Sequence, residues 1–158
     1  MTTAPVLASA LEGQAFLRGM PAGQLARLAT AASLTSVPAG HRFFSAGGVA
    51  RQFWLIRTGQ VALDMNVPGR RRIIVEVLGR GEVVGLSWFL PPFEWQFGAV
   101  AMQPTEAFEF DAAAVRRGCE EDAGFGYQLS RRLVVAAAGR LHATRAKVID
   151  LSTQLEQA

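Results

Sequence analysis

Charge is scarce in this sequence, lysine nearly absent and cysteine single. Only 18% of the 158 residues are Asp, Glu, Lys or Arg, while 50% are hydrophobic. That balance excludes a disordered regulator, whose charge excess and lack of apolar residues would prevent collapse. The length suits one hydrophobic core rather than two, so a single domain over residues 1–158 is expected. One cysteine, Cys119, excludes an internal disulfide and fits a reducing compartment. His41 and His142 are the only histidines, so no metal site of ordinary zinc spacing is expected. Long apolar runs are missing too. The most apolar stretch, residues 133–141, falls short of the roughly 18 residues a membrane helix requires and is flanked by arginines. No basic segment precedes Ala8-Ser9-Ala10, as a secretory signal would demand, so the protein reads as cytoplasmic, with no membrane partner. The formal charge is only +3 and Lys147 is the sole lysine, a surplus too small to point to nucleic acid by itself.

Periodicity divides the chain into three parts. In residues 1–34, Leu25, Leu28, Ala29 and Ala32 predict a short amphipathic helix over 21–33 with Pro21 in its first turn, and a second short helix is expected over 11–17. Val37-Pro38-Ala39-Gly40 is a turn signal, and from there to residue 110 the pattern is β. Runs at 42–44, 53–57, 61–67, 72–78, 97–102 and 105–110 are separated by breaks such as Gly47-Gly48, Thr58-Gly59, Pro68-Gly69 and Gln103-Pro104. Short strands at that spacing predict a sandwich, barrel or jelly roll. Arg70-Arg71-Arg72 reads as an exposed hairpin tip, with a patch for an acidic partner as the other reading.

Residues 111–158 are helical. Asp111 is placed to cap a helix over 112–118, and 124–157 reads as one long helix. Leu141, Thr144, Val148, Leu151 and Leu155 recur at steps of three, four, three and four, whereas Arg140, Arg145, Lys147 and Asp150 fall on other faces. Such a seam suits a parallel helix pair and hence a homodimer. The competing reading packs the stripe on the chain's own β-domain, but a helix this long would outrun a domain of this size.

The order of these elements resembles the cyclic nucleotide-binding domain of the catabolite activator protein (CRP/FNR-like) family, from about residue 16 to 151. Phe16-Leu17-Arg18-Gly19-Met20 resembles its opening turn. Phe53-Trp54-Leu55-Ile56-Arg57-Thr58-Gly59-Gln60-Val61 is similar to its signature strand pair, and Gly79-Arg80-Gly81-Glu82-Val83-Val84-Gly85 to the entry of its phosphate-binding cassette. Residues 140–151 are similar to its dimerisation helix. The resemblance implies an α+β fold: a cyclic nucleotide-binding-type β-roll (double-stranded β-helix or jelly roll) over 35–110, short N-terminal helices over 1–34, and C-terminal helices over 111–158 that end in a long dimerisation helix.

The cassette departs from the family pattern at its polar anchors. Gly85 is kept, but Leu86 stands where the resemblance implies a ribose-binding glutamate. Gln96, followed by Phe97, stands where it implies a phosphate-binding arginine and a small residue. A charge-assisted arginine–phosphate contact is about twice as strong as a neutral hydrogen bond, so cyclic nucleotide binding in the usual pose should be weakened. Five aromatic residues crowd the intervening stretch: Trp88, Phe89, Phe93, Trp95 and Phe97. They predict either a pocket for a flat or apolar ligand, oriented by Ser87 or Gln96, or a cavity filled by its own side chains. The stiff Pro91-Pro92 favours a preformed shape. The ligand-binding candidates are therefore Val84, Gly85, Leu86, Ser87, Trp88, Gln96 and Phe97. The resemblance adds Thr144 and Arg145, at helix positions where family dimers reach the base. The dimer interface is assigned to Leu141, Thr144, Val148, Leu151 and Leu155.

Two functions follow as expectations. One is a non-enzymatic sensor, a homodimer whose roll holds a small effector. No cofactor is assigned; cAMP, cGMP and cyclic dinucleotides are the ligands the resemblance admits. The other is a ligand-free module that serves as an adaptor or regulatory subunit for a protein partner. No catalytic constellation is visible, Cys119 lacking any assignable histidine partner. No recognition helix follows the long helix in this chain, so direct DNA binding is not expected.

Overall fold

Two four-stranded antiparallel sheets share one core in the computed structural model, which describes residues 2–158. The chain opens with α1 (Ala4–Glu12), a 3-10 turn (Ala15–Leu17) and α2 (Ala22–Thr30). The strands follow as β1 (Ala32–Val37), β2 (Arg42–Phe44), β3 (Gln52–Thr58), β4 (Val61–Met65), β5 (Ile73–Leu78), β6 (Val83–Val84), β7 (Gly98–Ala101) and β8 (Thr105–Asp111). The chain closes with α3 (Ala112–Glu121) and α4 (Ala123–Gln157). One sheet has the order β1-β8-β3-β6 and the other β2-β7-β4-β5. This is the expected α+β roll with a long C-terminal helix.

Apolar rings hold the roll together. Phe53 is stacked between Trp88 and Phe110 at centroid distances of 3.9 and 4.7 Å, and all three are buried. Burial of each such ring contributes about 1.5–3 kcal/mol. Asp111 caps α3 as expected, its carboxylate accepting from the Ala114 N–H at 3.0 Å. Asp122 does the same for α4 through the Phe125 N–H at 3.1 Å.

Three local expectations are corrected. The helix predicted over 21–33 stops at Thr30, because Ala32 and Ser33 already pair with Phe110 and Glu109 of β8. Sheet pairing outweighs the helical preference of an Ala-rich end. The helix predicted over 11–17 is instead the end of α1 and the separate 3-10 turn, with Gly13 and Gln14 between them. Strands β1 and β6 were missing from the six predicted runs; β6 is only two residues long and β1 is too polar to display a strand signature.

The long helix changes character along its length. Phe125, Leu129 and Leu133 are buried, and beyond Leu133 no α4 residue is. Cations then tie it to backbone carbonyls elsewhere in the chain. Arg132 Nη2 donates to Arg18 O at 2.7 Å, Arg140 Nη2 to Val83 O, and Lys147 Nζ to Val75 O at 3.0 Å. Val75 and Val83 lie on β5 and β6, an edge strand of each sheet, so α4 covers carbonyls that would otherwise remain open.

Candidate functional site

The roll and α4 enclose a cavity of about 420 Å³. β2 supplies Phe44, β4 Leu63 and Met65, and β5 Val75 and Glu76. The segment between β6 and β7 supplies Gly85, Leu86, Ser87, Trp95, Gln96 and Phe97; α4 closes the space with Ala137, Arg140, Leu141 and Thr144. The lining is mainly apolar, with Arg140 and Glu76 as its charged members.

The aromatic cassette is split between core and cavity. Trp88 turns inward, where its Nε1 donates to Gly85 O at 3.1 Å while its ring lies on Phe53. Trp95 forms the cavity wall instead, stacked on Phe44 at 3.7 Å and 10°. Gly85, at φ +97°, lies directly under the Trp95 ring, a backbone conformation and a proximity that only glycine accommodates. The outer end of the cassette is pinned by α3. Arg116 Nη1 donates to Trp88 O at 2.6 Å, and its guanidinium sits 4.2 Å from the centre of the Phe93 ring, a cation–π contact.

Of the predicted ligand residues, Gly85, Leu86, Ser87, Gln96, Phe97 and Thr144 meet at the cavity. Val84 and Trp88 are buried in the core beneath it, and Arg145 is exposed on α4 away from the lining. Two of the polar candidates already have partners. The Gln96 amide donates to Glu94 O at 3.3 Å, and the Thr144 hydroxyl to Arg140 O at 2.9 Å. Of the dimer candidates, Leu141 and Thr144 line the cavity, while Val148, Leu151 and Leu155 stand exposed further along α4.

Sequence reasoning missed Arg140 and Glu76 as lining, and it named Trp95 among the five aromatics of the segment without singling it out. The expectation that Arg140 falls on a face away from the seam is corrected: it lines the cavity beside Leu141 and Thr144, and its place one turn before Thr144 was the available signal. Glu76 offered none. The Arg140 guanidinium makes no ion pair among the described residues. Burial pulls its pKa down, opposed by the nearby Glu76 and Glu82 carboxylates.

A larger, more open groove of about 810 Å³ runs along the other flank of α4. Arg131, Arg132 and Glu82 give it charges of both signs, and Arg140 and Glu76 stand in the wall between groove and cavity. The smaller space is the better candidate site because it is the more enclosed and the more apolar of the two. Among the described residues, no three His, Cys, Asp or Glu side chains are grouped to hold a metal ion. No described helix is long and apolar enough to cross a membrane. Cys119 is half-buried against the core, and burial pushes its thiol pKa up, away from the reactive thiolate.

The family model for the cyclic nucleotide-binding domain matches residues 34–122, the stretch that builds the roll and reaches α3. The chain belongs to the cyclic nucleotide-binding domain family. Solved structures share the fold of this cyclic nucleotide-binding domain. A putative cyclic nucleotide-binding protein from Geobacter metallireducens is 23% identical with a TM-score of 0.78, over 85% of this chain and 98% of its own. A cyclic nucleotide-binding domain from Methylobacillus flagellatus is 14% identical with a TM-score of 0.77, over 93% and 83%. The c-di-GMP responsive global regulator CLP of Xanthomonas campestris is 18% identical with a TM-score of 0.71, over 84% and 65%. No curated protein sequence matches the chain. Gly85 and Leu86, at the positions where the resemblance implies the cassette glycine and its glutamate, both line the cavity.

Proposed function

We propose that this cyclic nucleotide-binding domain is a non-enzymatic, cytoplasmic regulatory module that binds a small effector in the roll cavity as a homodimer joined through α4. The observation that carries the reading is that Leu141 and Thr144 line the cavity and also belong to the helix seam. Leu141, Val148, Leu151 and Leu155 are 52, 58, 60 and 78% exposed, an apolar stripe that a partner helix would cover. A ligand touching Leu141 and Thr144 would therefore change what the seam presents. The chain acts as one domain, 1–158, and reaches its output through a protein partner.

Thermal denaturation against cAMP, cGMP and cyclic dinucleotides, with mass measured by light scattering, tests the reading. Binding at 100 times Kd stabilises the fold by about 2.7 kcal/mol and raises the melting temperature. A monomer at all concentrations would remove the dimer from the proposal. The adaptor reading is favoured by one observation: Trp95 occupies part of the space beside Gly85. A protein that no small ligand stabilises, but that captures a defined partner, would support it.

A further inference from the structure

Few unengaged polar groups face the cavity. Gln96 and Thr144 donate to backbone carbonyls, and Leu86 presents a hydrocarbon side chain. The Ser87 hydroxyl, the second Gln96 amide N–H at the exposed rim and the remaining guanidinium N–H groups of Arg140 are the side-chain donors left, since Arg140 directs Nη2 alone to a protein acceptor, Val83 O. A ribose and purine would bring many polar atoms with little to meet them, and a site that leaves such atoms unpaired rejects the ligand. A half-buried guanidinium in no ion pair, with the Glu76 and Glu82 carboxylates near but not bonded to it, favours an anion in contrast. The rest of the wall consists of ring faces and hydrocarbon: Trp95, Phe97, Met65, Leu63 and Leu141. Glu76 shares the lining and sets a limit on charge, because a second negative group on the ligand would face it.

From this arrangement we infer that the cavity takes a flat, mostly apolar monocarboxylate, its carboxylate on Arg140 and its body against Trp95 and Phe97. This rests on the effector-site reading above and names the ligand class for it. Arg140 also holds Val83 O at the entry to the cassette, so an anion that draws the guanidinium inward loosens the tie between α4 and β6.

The test titrates the full chain with naphthoate, its uncharged analogue naphthamide, naphthalene dicarboxylate and cAMP, followed by calorimetry and tryptophan emission. Trp95 is the tryptophan that lines the cavity, so binding there changes emission. Naphthoate should bind about 10-fold or more tightly than naphthamide, the margin of a charge-assisted contact. Arg140→Gln should erase that difference and Arg140→Lys preserve part of it. Glu76 makes no side-chain hydrogen bond in the structure, so Glu76→Gln tests the site with less risk to folding; it should narrow the preference for naphthoate over the dicarboxylate. Equal binding of acid and amide, a difference that survives in a folded Arg140→Gln variant, or tighter binding of cAMP than of naphthoate would overturn the carboxylate assignment and leave the effector site standing. If none of the four compounds binds, both fall.

Discussion

Trp95 lies over Gly85 so closely that a methyl group on the glycine would sit 2.6 Å from Cη2 of the indole. The cassette glycine thus supports an aromatic wall, and the ring it supports takes part of the room a ligand would use. Neither residue alone predicts this.

Gly85→Ala should therefore cost about 2–4 kcal/mol, the sum of a strained positive φ and an overpacked contact. Urea denaturation measures it. Trp95→Ala in the same chain should recover the packing part, so the double variant should be less destabilised than the sum of the two single ones. Strict additivity would mean that the two residues do not press on each other.

Asp64 gives the fold an acid-sensitive joint. Its carboxylate is buried and held by Arg42 through two hydrogen bonds, 3.1 and 2.7 Å, with Arg72 at 3.6 Å. The Arg42 hydrogen bonds pull the Asp64 pKa down, against the opposing effect of burial. A carboxylate depressed in the folded state stabilises fully above its unfolded pKa, about 3.9, and the stabilisation is lost as pH falls through the lower folded value. The urea midpoint should drop below about pH 4, and Asp64→Asn should flatten that drop. Arg42→Ala at neutral pH should cost about 2 kcal/mol, since the arginine is partly solvated and water screens the charge left behind.

Leu151→Asp separates association from folding. Leu151 is 60% exposed, so the substitution should change the stability of the single chain by no more than about 0.5 kcal/mol. If α4 pairs with a second copy, light scattering should report twice 17.0 kDa for the native chain and 17.0 kDa for the variant. A dimeric variant would place the interface elsewhere.

Leu86→Glu with Gln96→Arg supplies the two polar anchors that the resemblance implies. Leu86 lines the cavity and Gln96 stands exposed at its rim, so both new side chains can reach a ligand. Affinity for cAMP should rise by about 10-fold or more, the margin of a charge-assisted phosphate contact, as read by calorimetry. No gain would show that Trp95 and Phe97 have reshaped the space as well, and adding Trp95→Ala should then restore it.

The strands of the β-roll were legible because their signals are local: alternating runs, glycine turns in order, and a cap at Asp111. Strand β1 was not, since Ser33, Thr35 and Ser36 carry no strand signature until β8 pairs with them. The same limit applied at the site. That Leu86 and Gln96 stand where the resemblance implies Glu and Arg could be read directly, and so could the aromatic crowding. Which aromatics face the cavity could not, because Trp88 and Trp95 look alike in sequence and differ only in which side of the backbone they leave.

The sequence by itself determined the order of strands and helices, the apolar stripe along α4 and the aromatic crowding between Leu86 and Phe97, since each is written in residue type and spacing along one segment. Only the tertiary structure decided the contents of the cavity. Glu76 and Arg140 are 64 positions apart, and Arg140 becomes a lining residue because α4 returns across the edge strands β5 and β6. A meeting of that kind depends on how helix and sheet pack, and no periodicity within either segment encodes it.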